Sequence, residues 1–259
     1  MFDKCVKIRK ATVAVVLALM AAVSCPERAC AQQFVSFAPA RQFLEVDVHL
    51  LGGGSGVIQN YASCFPEIRE INNSMGGSYG VGAGAVFGLN TFFGLGTELN
   101  ILLNHSRTDM GVSNDDATSV SNVFLRNRYC YANIPVFMSF RFHVLGPIRW
   151  NIDAGLFYQY GLSGSQNQTI FNSVINDLGQ LVPRVVKSKP DYFNSKDTFI
   201  HSYRRSDIGL HFSTALQFGR HFAIGARLQC GFKNVARTDG IVCPRIHNYD
   251  FHALAAYKF

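Results

Sequence analysis

His211 and Ser213 stand two residues apart in His211-Phe212-Ser213, a spacing that puts a candidate base and a candidate nucleophile on one face of an extended strand. Catalysis would also need a third group to orient the histidine, and the sequence fixes no acid in that role. The expectation is therefore no catalytic residue and no enzyme; a lipid-modifying activity is the remote alternative. Ionic residues recur with the same two-residue rhythm: Glu45, Asp47, Glu98, Arg141, Arg149, Asp153, Asp207, Arg227 and Lys258. Gathered on one surface they would pair with each other as a structural network, or, if water entered, pass ions or protons. Counting along each segment puts Asp47, Glu98, Asp153 and Arg227 near one level, with His49, His211 and His252 close by. Glu45, Arg141, Arg149 and Lys258 fall nearer the chain's short turns. No Cys-x-x-Cys pair and no Cys/His cluster with metal spacing occurs, so neither a metal nor another cofactor is expected. Gly80, Gly82, Gly84, Gly94 and Gly96 continue a strand pattern instead of opening a helix, which excludes a phosphate-binding loop. They are expected to leave room for long side chains from the opposite wall and to relieve curvature.

The elements that must position these residues are strands. Leu44, Val46, Val48 and Leu50 alternate with Glu45, Asp47 and His49, a pattern that a helix would scatter around its circumference. The same period of two runs through residues 78–87, 93–103, 129–142, 148–162, 207–218, 221–232 and 251–259, giving eight strands with 43–51. Each is near the roughly 9 to 11 residues that a tilted membrane strand needs.

Lys4, Lys7, Arg9 and Lys10, the apolar stretch 11–23 and Ala29-Cys30-Ala31 mark residues 1–31 as a cleaved export signal. The apolar stretch falls short of the roughly 20 residues of a membrane helix. The leader holds five basic and two acidic residues, so its removal lowers the net charge from +7 to +4. An excess that small and scattered gives no basic stripe for nucleic acid. Beyond the leader no apolar run could cross a bilayer as a helix, so a membrane-spanning chain must close as a barrel. A soluble sandwich alternates too; the connections distinguish the two. Those after the second, fourth and sixth strands are short, and those after the first, third, fifth and seventh are long, as in outer-membrane barrels. Phe87, Phe93, Phe140, Phe142, Trp150, Phe218, Phe222, Tyr257 and Phe259 lie beside the short turns or the C-terminus, forming an interfacial girdle.

The expected architecture is a closed eight-stranded antiparallel transmembrane β-barrel over residues 42–259, with residues 32–41 as a lead-in, short periplasmic turns and long extracellular loops. Residues 169–175 and 180–186 form a candidate hairpin that would raise the count to ten if it entered the wall; otherwise the third long loop is solvated. Eight strands enclose only enough space for side chains, so the ionic residues are expected to plug the lumen. In such a ring the first and last loops stand side by side, which makes a Cys64–Cys243 disulfide an expectation. Cys130 and Cys230 face lipid on non-adjacent strands and stay free.

Tyr131-Ala132-Asn133-Ile134-Pro135-Val136, Ala154-Gly155-Leu156-Phe157-Tyr158, Asp207-Ile208-Gly209-Leu210 and the terminal Tyr257-Lys258-Phe259 together resemble the porin-family (PorT-like) outer-membrane β-barrel domain. Ala132-Asn133 and Leu156 depart from its commoner residues. The resemblance implies that Phe259 serves as the C-terminal signal for the barrel-assembly machinery, and it raises a role beside a secretion complex. The functional expectation is a structural or interaction barrel in the cell outer membrane, in contact with outer-membrane lipid and presenting its loops to an extracellular partner. A narrow porin-like channel or a secretion accessory is the alternative.

Overall fold

One apolar and one small or polar face per strand suits hydrocarbon outside and a narrow interior inside, provided the sheet closes on itself. A computed structural model of the protein describes residues 34–40, 42–113, 119–175, 179–194, 203–237 and 244–259. The expected leader at 1–31 and Cys243, one half of the expected disulfide, lie outside the described residues. The described residues form β1 (Leu44–Gln59), a short helix α1 (Tyr61–Cys64), β2 (Ile68–Gly88), β3 (Phe93–Ser113), β4 (Ser119–Leu145), β5 (Ile148–Ile175), β6 (Leu181–Ser188), β7 (Ser206–Phe218), β8 (Phe222–Gly231) and β9 (Ile246–Lys258).

Eight of these strands make a ring in the order β4-β3-β2-β1-β9-β8-β7-β5, closed by the pairing of β4 with β5. All pairings are antiparallel, and the first and last strands zip from Asp47 opposite Lys258 to Gln59 opposite Ile246. The ring is thus the eight-stranded barrel that the alternation implies. The ten-strand alternative does not occur: residues 169–175 continue β5, and β6 pairs with β5 alone. Leu44, Leu50, Ile134, Val136, Ile224 and Leu228 are exposed on the outer face, where lipid meets them, while Glu45, His49, Arg141 and Arg227 are buried within.

The short turns need left-handed backbone that glycine supplies: Gly146 has φ 53° and Gly219 φ 64°. Around this end the aromatic girdle meets in groups. Phe43 meets Phe87 with centroids 5.9 Å apart, Phe93 meets Phe140 at 5.6 Å, Phe142 meets Trp150 at 5.7 Å, and Tyr257 meets Phe259 at 5.2 Å. The lead-in straps across it. Phe34 stacks on Phe142 at 5.0 Å, its carbonyl accepts from the His143 N–H at 3.1 Å, and Ala38 accepts from the Thr91 N–H at 2.9 Å.

Wall height is uneven. β4 and β5 run 27 and 28 residues, against 13 for β7 and 10 for β8. The bilayer requires only roughly 9 to 11, so β2 to β5 continue far beyond it on the long-loop side, with β6 added along their outer end. Register shifts between Met75 and Ser78 and between Cys130 and Tyr131 fall at one level, because Ser78 pairs with Asn104 beside the Leu103–Cys130 pair. Such bulges bend a strand where its surroundings change.

Candidate functional site

The inward residues of the ring sort into layers. At the periplasmic mouth, Glu45 accepts hydrogen bonds from Arg141 Nη1 at 2.9 Å and Lys258 Nζ at 3.5 Å, and Lys258 also reaches Gln217 Oε1 at 3.1 Å. Arg149, expected in the same group, lines a cavity of about 280 Å³ at this mouth with Gln42, Glu45, Gln217, Arg220 and Lys258.

In the middle layer Arg227 Nη2 bonds Glu98 Oε2 across the lumen. His49 Nδ1 lies 2.7 Å from Asp47 Oδ1, and its Nε2 lies 2.6 Å from Asn100 Oδ1 and 3.5 Å from Glu98 Oε2. Gly82 and Gly84 make room for this cluster. A Cβ at Gly82 would fall 2.0 Å from Asn100 Oδ1, and one at Gly84 would fall 2.7 Å from Asp47 Oδ2. The space thus serves side chains of the flanking strands β1 and β3, not those of the opposite wall as the sequence suggested.

Asp153 shares the Arg227 row, yet Ser213 stands between them in register and donates to Asp153 Oδ2 at 2.7 Å. The middle level therefore splits into two groups, Arg227 with Glu98 and His49, and Asp153 with Ser213. Within the second, His211 turns away from Ser213. Its Nδ1 lies 3.0 Å from Gln229 Nε2 and its ring stacks on Phe137 at 5.4 Å, so the two do not form a nucleophile and base.

Of the tier above, sequence reasoning named only Asp207 and His252 and missed Ser78, Asn104, Gln159, Asn248 and Asp250. Ser78 bonds His252 Nε2 and Asn104 Oδ1, each at 2.6 Å; Asn104 donates to Asp250 at 3.2 Å; and Asp207 accepts from Asn248 at 2.8 Å and Gln159 at 3.2 Å. Over this polar tier sits an apolar cap. Leu51, Leu102 and Leu254 interleave with the polar tier on the wall, Tyr129 and Tyr131 join them, and Tyr192, Phe193 and Tyr203 of the third long loop, expected to be solvated, supply the lid. Tyr192 is sandwiched between Tyr129 at 4.8 Å and Tyr203 at 4.1 Å, both nearly parallel. Phe193 meets Tyr131 edge-on at 5.8 Å, and the Arg205 guanidinium lies 5.2 Å from its ring centre. A Cβ at Gly161 would fall 2.3 Å from Phe193, so that glycine seats the ring. Burial raises the Tyr61, Tyr192 and Tyr203 phenols above their usual range. The loop's descent is invisible in sequence because its partners lie about 30 to 60 residues earlier, on strands with which it shares no period.

The free-standing sheet carries a carboxamide ladder on its inner face. Gln168 donates to Gln166 at 2.6 Å, Gln166 to Asn127 at 2.9 Å, and Asn127 to Ser106 at 3.0 Å. Of the remaining expected site residues, Cys64 is half-buried at the end of α1, and the Phe259 N–H donates to the Val46 carbonyl at 3.0 Å, so the final residue is still held to the wall.

No curated protein sequence matches the chain. Among solved structures, Ail of Yersinia pestis in complex with the heparin analogue sucrose octasulfate is 13% identical with a TM-score of 0.34, covering 84% of this chain and 100% of that one. Neisserial surface protein A is 10% identical with a TM-score of 0.31, covering 84% and 98%. OprG of Pseudomonas aeruginosa is 7% identical with a TM-score of 0.30, covering 82% and 95%. The sequence profile of the outer membrane protein beta-barrel domain matches residues 31–237, most of the chain. With that match, the sorted loops and the closed ring, the chain belongs to the outer membrane protein beta-barrel domain family.

Proposed function

We propose that this protein is a sealed outer-membrane barrel whose wall serves as an anchor and whose working surface is the sheet raised outside the cell. The observation that carries this reading is the double closure of the lumen. The Arg227–Glu98 bond crosses its middle, and the cap of Tyr129, Tyr131, Tyr192, Phe193 and Tyr203 fills the space above. An ion would have to part a buried charge pair and then enter an apolar aromatic layer, each step costing several kcal/mol. Purified protein refolded into planar bilayers is expected to give no stable conductance steps; a persistent open channel would overturn the reading.

A second reading, an accessory of a transport or secretion complex, draws on the PorT-like motifs and on the periplasmic cavity beside Arg149 and Arg220. Crosslinking in intact cells followed by purification tests it: periplasmic or secretion-complex proteins bound at the turn end would favour the accessory, and loop-bound partners the raised sheet.

A further inference from the structure

The outer face of the wall changes character sharply at one level. On β4 the outward residues Phe140, Met138, Val136, Ile134, Ala132 and Cys130 are apolar, and the next two outward positions are Arg128 and Arg126, both exposed. From Phe140 to Cys130 is ten residue steps. At about 3.3 Å per step and a tilt of about 40°, that is about 25 Å of membrane thickness, the height of the apolar band in barrels of this kind. Tyr160, opposite Ala132, and Tyr79, opposite Leu103, lie on the same outer face just below the change, where interfacial tyrosines settle. Arg128 and Arg126 therefore stand in the headgroup layer of the outer leaflet.

Their surroundings on neighbouring strands do not neutralise them. Arg107 lies directly opposite Arg126, a destabilising juxtaposition of like charge, and His105 lies opposite Arg128. Arg107 is held by Asp109, with Nη2 at 2.7 Å and Nε at 3.0 Å from the carboxylate oxygens. On the other side of β4, Arg126 faces Asn167 and Arg128 faces Ser165 of β5, and exposed Lys187 of β6 stands opposite Thr169. Asp191, opposite Ser165, spends its Oδ1 on the N–H groups of Phe193 and Asn194. Arg126 and Arg128 point the same way about 6.6 Å apart along the strand, a spacing at which two guanidinium groups can share one phosphate.

We propose that Arg126 and Arg128 form a clamp for the phosphate of a phosphorylated glycolipid headgroup in the outer leaflet. The assignment rests on the barrel's seat in the membrane and not on whether its lumen conducts, so bilayer conductance and lipid retention can fail independently. The full chain, refolded in detergent, is titrated with a diphosphorylated lipid A and with the same lipid after phosphatase treatment, and bound lipid is counted by native mass spectrometry. Heat-dependent gel mobility verifies that each variant is folded. The expected result is retention of the phosphorylated form only, weakened at least about tenfold in the Arg126→Gln, Arg128→Gln double variant and partly restored with lysine at both positions. Asp109→Asn frees Arg107 and is expected to strengthen retention, a gain that misfolding cannot produce. Equal retention of the dephosphorylated lipid, unchanged retention in the double glutamine variant, or complete displacement by inorganic phosphate at equal concentration would each overturn the clamp.

Discussion

At the scale of single residues, the Arg227–Glu98 bond governs how much the lumen contributes to stability. Both groups are withdrawn from bulk water, so removing Arg227 takes the main counter-charge from Glu98, which keeps only Asn100 at 3.1 Å and His49 at 3.5 Å, at a cost approaching the roughly 3 to 5 kcal/mol of a broken buried pair. Arg227→Met is expected to lower unfolding free energy in lipid by that order, and adding Glu98→Gln to recover much of it; urea titration of both variants decides. Which residues point inward was readable from alternation alone, as Glu45, Asp47, Glu98, Asp153 and Arg227 illustrate. Which of them touch was not. Partners across the lumen depend on the stagger between neighbouring strands, and that stagger placed Ser213 between Asp153 and Arg227 and brought Arg227 to Glu98.

At the scale of elements, strands announced themselves by period, whereas the lid did not. Residues 189–194 carry no alternation, and their place is set by Gly161, whose missing side chain receives the Phe193 ring. Gly161→Leu should expel that ring, and chymotrypsin should then cleave after Tyr192 or Phe193 at least several-fold faster than in the unaltered chain; equal rates would contradict the seating. The buried phenols give the lid a pH signature. In an opened lid the tyrosines lose their protons near pH 10, while burial keeps those of Tyr61 and Tyr192 on well above that range. The closed lid then binds more protons than the open one, so its stability falls as pH rises above about 10 and is unaffected below. The same protease assay at pH 8 and pH 11 checks the sign. β6 is the sheet's outer edge, and Pro183, Arg184 and Lys187 on it are residues that discourage pairing with foreign strands. Replacing all three with threonine should promote self-association, measurable by sedimentation.

At the scale of the whole molecule, loop lengths separate the two ends of the ring in the sequence itself, because short turns and long loops alternate around a ring whose first and last strands meet. The raised sheet was not foreseen: residues 68–77, 104–113 and 119–128 looked like loop because no membrane face imposed apolar alternation on them, yet they continue β2, β3 and β4. Heat-dependent gel mobility should report the closed ring directly, with unboiled protein running faster than boiled protein.

The strap of residues 34–40 over the turns binds the start of the barrel to two hairpins that form later in the chain. Its seat is complete only when the β2–β3 and β4–β5 hairpins are both in place, because Ala38 accepts from Thr91 and Phe34 from His143. The segment thereby acts as a latch between two separate hairpins: opening either one would release Phe37 from Phe92 or Phe34 from Phe142.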